Sequence, residues 1–380
     1  YFTGIIRDLE GRKMSKSLGN SPDPLDLIAK FGADGLRFGV MSVAPQGQDI
    51  RFGEDKVALG RNFCNKLWNA CRFRQISGSI VPASSLEDLI QRLRPEQMDF
   101  QDHSILGRLL DMIRTVDDAY AAYSFSGITQ KIYAFFWNDF CDWYVEVSKS
   151  KLQDADAKKN CLAIQDLILR QTLLLLHPFC PFITEELWHL LGFGREGHFI
   201  QNERSLPSDD LEDCLMDSGL RLDRGAVALV DEMRETVTLL RSLKAEYQLS
   251  ARKDVRMFVL SDTLISVEGV NEILPMVESL AGLEEVETVP ELPEGNPAIV
   301  TPMGTFCLDL SSAIDLEAEQ SRMQKELQKL DQVITGTRKR LENKSFTDKA
   351  PEHVVAGARS QLAENEQKRK EIERLISSLG

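Results

Sequence analysis

The chain has 380 residues, a formal net charge of −14 and a 43% apolar fraction, so two to four ordinary globular domains are expected and a disordered or fibrous chain is excluded. No run of about 18 uncharged apolar residues occurs, which excludes a membrane-spanning helix. The seven cysteines are scattered without a Cys-x-x-Cys pair; no metal site is predicted, and free thiols in a reducing cytoplasm are the default.

The charge is unevenly spread. Residues 1–75 carry 12 Lys+Arg against 8 Asp+Glu, residues 76–314 carry 20 against 39, and residues 315–380 carry 13 against 12. A polyanion is therefore expected to meet the two ends rather than the acidic middle.

The apolar opening, Tyr1 to Ile6, reads as a buried strand entered without a turn or cap, as in a chain cut inside a domain, and it lacks a signal-peptide layout. Lys13-Met14-Ser15-Lys16-Ser17 follows, between Gly11 and Gly19. Two ammonium groups, two hydroxyls and pliable glycine flanks fit a phosphate cradle. Taken alone, the segment fits a solvated Lys/Ser surface stretch as well.

Residues 55–192 are almost entirely helical by pattern, with helices expected at about 54–75, 104–123, 126–149, up to His177, and 184–191. Such a series describes a helical bundle. On the first of these helices Arg61, Asn65, Trp68 and Arg72 share one face, with Asn62, Lys66, Asn69 and Phe73 beside it. Cations, amides and aromatics together suit single-stranded RNA. A plain core face for Phe63, Leu67 and Ala70, with Trp68 and Phe73, is the other reading. The aromatics between Tyr133 and Tyr144 are too many to leave exposed and are expected in the core.

Residues 193–220 read as an exposed connector, rich in glycine and acidic residues. A helix at about 224–249 follows, then short β-like segments at 255–260, 286–289, 298–301 and 305–310 with a helix near 270–280, together a small α+β module. Leu316, Met323, Leu327, Leu330, Ile334 and Leu341, then Val355, Ala358, Leu362, Ile372, Ile376 and Leu379, keep three-four spacing on either side of Pro351. An antiparallel coiled-coil hairpin is expected, with Asn365 and Arg369 weakening its seam. A continuous rod is the alternative, and Pro351 opposes it.

Gly11 to Asn20, continued by Asp23-Pro24-Leu25-Asp26 and Gly32-Ala33-Asp34-Gly35-Leu36-Arg37-Phe38, resembles the signature loop and following segment of class I aminoacyl-tRNA synthetases. Asn62 to Ala70, Phe136 to Tyr144, His177 to Trp188 and Gln46 to Phe52 are similar to the valyl-tRNA synthetase family, and Asn343 to Val355 resembles the tip of its C-terminal arm. The resemblance implies a mainly α chain in four parts: 1–54, the end of a Rossmann-type catalytic domain; 55–205, a helical anticodon-binding domain; 206–311, a linker and α+β module; 312–380, a coiled-coil tRNA-binding arm. It implies ATP-dependent ligation of valine to tRNA(Val) by a larger, cytoplasmic, monomeric enzyme, with ATP as substrate and Mg2+ alongside it, no structural metal and no membrane. Lys16 would be the main catalytic phosphate contact and Lys13 its partner, with Met14, Ser15 and Ser17 shaping the ATP-binding loop. Asp34 and Arg37 would cap and pin the next helix. Arg61, Asn62, Asn65, Lys66, Arg72 and Phe73 would face the anticodon. The first-half ATP motif of the family, of His-x-Gly-His type, is absent, so this chain alone is not expected to form an adenylate. A free-standing tRNA-binding or assembly module without catalysis is the alternative.

Overall fold

A computed structural model describes residues 4–44, 47–83, 85–195, 197–265, 270–310, 316–342 and 352–378. The chain is mainly helical, with small sheets, and divides into two units, Tyr1–Val230 and Asp231–Gly380.

The first unit opens with β1 (Ile6–Arg7), paired in parallel with β2 (Ile50–Arg51) in the register Ile6 to Ile50 and Arg7 to Arg51. The expected strand from Tyr1 is thus much shorter; residues 1–3 lie outside the described set, and Ile5 and Ile6 are 42% and 38% exposed rather than buried. Parallel strands are usually covered on both faces, and the described residues of this unit leave these two partly open.

Two helices lie between the strands, α1 (Pro24–Phe31), capped by Asp23 with proline in its first turn, and α2 (Ala33–Ser42). Next comes α3 (Glu54–Ser77). Leu27, Phe31, Phe52 and Val57 form a local core on which Met14, Leu36 and Val40 pack. Helices α2 and α3 touch backbone to backbone: a Cβ on Gly60 would lie 2.1 Å from the Gly35 carbonyl. That approach lets Phe38 and Phe63 stack at 4.4 Å.

The bundle continues through α4 (Leu86–Ile90), α5 (Phe100–Ala121), α6 (Phe125–Ala134), α7 (Val145–Lys151), α8 (Ala155–Leu176) and α9 (Pro181–Leu190). Helix α8 is buried nearly all round from Ala163 to Leu176, which makes it the centre of the bundle. The single helix expected at 126–149 is three pieces, because Phe135–Tyr144 winds as a π-helix between α6 and α7. This winding turns Phe136, Phe140 and Tyr144 inward, with successive rings 5.4 and 6.3 Å apart. Trp137 and Trp143 remain half-buried.

The exposed connector expected at 193–220 contains a further helix, α10 (Ser208–Asp217), whose Leu211 and Leu215 are fully buried. Its acidic run hid an amphipathic pattern, and the acids stabilise its N-terminal turn.

Helix α11 (Gly225–Glu246) leads into the second unit. There β3 (Arg256–Leu260), α12 (Val270–Ala281) and β4 (Glu285–Val289) form a parallel crossover, and β5 (Ala298–Thr301) and β6 (Gly304–Leu308) complete a sheet in the order β4-β3-β6-β5. The segments expected at 255–310 thus all form. Lys244, 2% exposed, donates to the carbonyls of Ala281, Gly282 and Arg252, closing the C-terminal end of α12.

Two helices of 27 residues each, α13 (Leu316–Glu342) and α14 (Glu352–Ser378), end the chain. Arg338 pairs with Glu366 at 2.5 Å and Asp331 with Arg369 at 2.6 Å, so the pairing advances in opposite directions along the two helices. Ile334 and Ile372 are buried. Arg369 also meets Glu373, so the seam charge is neutralised by acids on both helices. The break expected from Asn343 to Ala350, and Pro351, lie outside the described residues.

Candidate functional site

The Lys13–Ser17 segment is a braced turn. Met14 N–H donates to the Ile6 carbonyl at 3.3 Å, and its side chain packs on the Leu27–Phe31 core, which fastens the middle of the segment. Ser15 begins a short 3-10 turn over Lys16–Leu18; its Oγ accepts from Leu18 N–H at 3.3 Å and lies 3.2 Å from Ser17 Oγ. Gly19 closes that turn with φ 65°, a conformation that glycine adopts without strain.

Asn20 holds the two ends together. Its Oδ1 accepts from Ser15 N–H at 2.9 Å, and its Nδ2 donates to Asp8 at 2.9 Å and to the Lys13 carbonyl at 3.3 Å. Asp8 also accepts from Arg12, and the Asn20 amide together with Arg12 holds the Asp8 carboxyl down at about 2. Sequence reading gave Asp8 and Asn20 no role, because a contact across twelve residues leaves no periodic signal. Lys13 and Lys16 are exposed and form no ion pair among the described residues. Most basic side chains nearby are engaged, as Lys30 is by Glu54 and Arg12 by Asp8. The turn therefore offers two open ammonium groups, two hydroxyls and a fixed backbone, the chemistry that a polyphosphate requires.

Asp34 and Arg37 cap and pin as expected, but not on the next helix. Asp34 accepts from the N–H groups of Phe182 and Ile183 at 3.4 and 2.7 Å, capping α9 from a distance. Arg37 donates to the carbonyls of Pro178 and Phe179 at 2.9 and 3.2 Å. The segment that carries the loop is thereby fastened to the His177-Pro178 turn of the bundle.

On α3, the structure places Arg61, Asn62, Asn65, Trp68 and Arg72 on the open surface; Trp68 is 40% exposed. Phe63 and Leu67 face the core, and Phe73 is half-buried. Arg61 leans over the Phe31 ring at 5.6 Å. Lys66 is drawn aside: its ammonium pairs with Asp142 at 2.6 Å and sits 5.0 Å from the Trp137 ring. Arg74, two residues beyond Arg72, points inward and forms a bidentate pair with Asp166, both bonds 2.7 Å long. Among the described residues no group of three His, Cys, Asp or Glu side chains is arranged to hold a metal. No helix is long and apolar enough to cross a membrane among those residues.

Three families match along the chain in order: tRNA synthetases class I (I, L, M and V) over residues 1–53, the anticodon-binding domain of tRNA ligase over 102–259, and the valyl tRNA synthetase tRNA binding arm over 315–380. The braced Lys13–Ser17 turn lies in the first of these stretches, the one that matches the class I tRNA synthetases. Among curated relatives it is similar to valine–tRNA ligases: 34% identical over 93% of this chain and 39% of the protein from Fusobacterium nucleatum, 33% over 100% and 37% for Cereibacter sphaeroides, and 35% over 97% and 39% for Mycolicibacterium paratuberculosis. The chain thus spans well under half the length of these relatives. A solved LeuRS chain from Agrobacterium radiobacter K84 is 22% identical, covering 56% of this chain and 24% of its own length with a TM-score of 0.41, too slight a likeness to argue from.

Proposed function

We propose that this chain is the C-terminal portion of a valine–tRNA ligase, supplying the phosphate loop for ATP and the surfaces that dock tRNA(Val). The observation that carries this reading is the braced turn with open Lys13 and Lys16 ammoniums, in a chain whose family matches run from catalytic domain to tRNA-binding arm.

In the complete enzyme the valine carboxylate attacks the α-phosphate of ATP, pyrophosphate leaves, and the acyl group passes from the adenylate to the tRNA terminus. Negative charge builds on the phosphate oxygens as pyrophosphate departs. Lys16, with Lys13 beside it, stabilises that charge more than it stabilises bound ATP, and so lowers the barrier. Ser15 and Ser17 orient the turn, and Met14 anchors it. Mg2+ would come with the triphosphate; no residue of this chain is assigned to it.

The four-part division at 1–54, 55–205, 206–311 and 312–380 belongs to the same reading. Arg61, Asn62, Asn65, Arg72 and Phe73 form the anticodon-facing surface, with Lys66 holding its edge through Asp142. Helices α13 and α14 are the two strands of an antiparallel coiled-coil arm that leans on tRNA.

The test has two arms. The isolated chain should show no valine-dependent ATP–pyrophosphate exchange, and exchange by this chain alone would overturn the missing-half reading. It should bind a valine-accepting tRNA more tightly than an isoleucine-accepting one, with affinity falling steeply as salt rises; equal, salt-insensitive binding would overturn the docking reading.

A further inference from the structure

We propose that the cavity beside the N-terminal turn of α9 receives an arginine side chain from a basic segment of a partner protein. The cavity, about 400 Å³, is lined by His177, Pro181, Phe182, Glu185, Glu186, Phe199 and Gln201. Phe182 and Phe199 are 67% and 51% exposed, although Phe199 adjoins buried Ile200 and Phe182 lies one turn beyond buried Phe179. Large aromatics left this open on both walls of one cavity call for an occupant.

The arrangement is built rather than incidental. Phe182 and Glu186 stand one turn apart on α9, on one face. Across from them, the Phe199 segment is tied to α9 because Ile200 N–H donates to both oxygens of the Glu185 carboxylate at 3.3 Å. Glu185 is also 3.0 Å from His189 Nε2. Glu186, by contrast, is exposed and has no partner among the described residues.

The charge of the lining decides between ligand classes. Among the described residues it holds two carboxylates and neither Lys nor Arg. His177 adds little positive charge, since burial holds its ring below the usual imidazole range and its Nδ1 is 2.8 Å from Thr184 Oγ1. A phosphate-bearing ligand is repelled there. A planar cation is drawn in twice, by the ring faces and by the free carboxylate. Guanidinium matches both better than ammonium does, because it stacks flat and bonds a carboxylate in a fork.

The test is an NMR titration of the full 380-residue chain with a capped Gly-Arg-Gly peptide, following the amides of residues 182–187 and 199–202. The arginine peptide should shift these resonances, the citrulline analogue should bind at least tenfold more weakly, and the lysine analogue should fall between. Phe182→Ala and, independently, Glu186→Gln should each abolish the shifts while leaving the remaining spectrum unchanged; both side chains are exposed, so folding is not at stake. Equal binding of the citrulline peptide, absence of shifts in this region, or tighter binding of cytidine or AMP at the same resonances would overturn the proposal. None of these outcomes bears on the tRNA-docking reading, which is measured on a different surface.

Discussion

Asp34 and Ile183, 149 residues apart, are joined by a 2.7 Å hydrogen bond from the Ile183 N–H to the Asp34 carboxylate. With Arg37 on the preceding carbonyls, this contact makes α2 both an extension of the segment that carries the Lys13–Ser17 turn and the cap of a bundle helix. A fastening of this kind would hold the proposed RNA-facing surface of α3 in register with the proposed phosphate loop.

Asp34→Ala removes the cap of α9 and should cost about 1 kcal/mol in urea denaturation. Asp34→Asn keeps an acceptor oxygen and should cost much less. Burial pushes the Asp34 carboxyl above its ordinary value, against the pull of the Ile183 and Phe182 N–H groups. A raised folded-state pKa favours the neutral acid. Its contribution to stability is therefore full below the unfolded-state value and is lost as pH rises through the raised one. The wild type should lose stability relative to Asp34→Asn over that interval, and parallel curves would refute the assignment.

The Arg74–Asp166 pair is 2% and 5% exposed, and burial pushes the Asp166 carboxyl upward even against Arg74. Arg74→Ala strands a buried carboxylate and should cost roughly 3–5 kcal/mol. Replacing both partners, as Arg74→Met with Asp166→Leu, should recover most of that loss in the same denaturation assay.

Lys16→Ala, introduced into the complete enzyme, should lower valine-dependent ATP–pyrophosphate exchange by roughly 100-fold, with a smaller loss for Lys13→Ala. Neither ammonium supports the fold, since both are exposed and without an ion pair among the described residues, so the melting temperature should not move.

Arg61→Ala and Arg72→Ala should each weaken tRNA binding and, where the side chain meets a phosphate, reduce the salt slope by about 1. Lys66→Ala should instead act through the Asp142 and Trp137 contacts, lowering stability with little change in slope.

Deleting residues 312–380 should weaken tRNA binding by about tenfold or more if the arm adds a second point of attachment. Circular dichroism of the truncated chain should retain the bundle's helical signal, and unchanged tRNA affinity would argue that the two helices dock a protein.

Much of this was legible in the residues themselves. Helical spacing gave the bundle and the two terminal helices, and the change to short β-like runs gave the segments between 255 and 310, because burial imposes a period that local sequence must carry. Lys13, Met14, Ser15, Lys16 and Ser17 stood out for the same local reason: their chemistry is contiguous. The α3 stripe of Arg61, Asn65, Trp68 and Arg72 was readable too, since one helix suffices to align it. Only the tertiary structure decided the rest. Nothing local separates exposed Arg72 from buried Arg74 until Asp166 arrives from a helix 92 residues away. The π-helical winding of Phe135–Tyr144, the burial of Leu211 and Leu215, the Asp8–Asn20 brace and the Asp34 cap on α9 all depend on partners brought together by folding. Sequence by itself determined most of the helices and strands and the candidate groups for chemistry; packing between distant segments decided the remaining elements and which of those groups stay open.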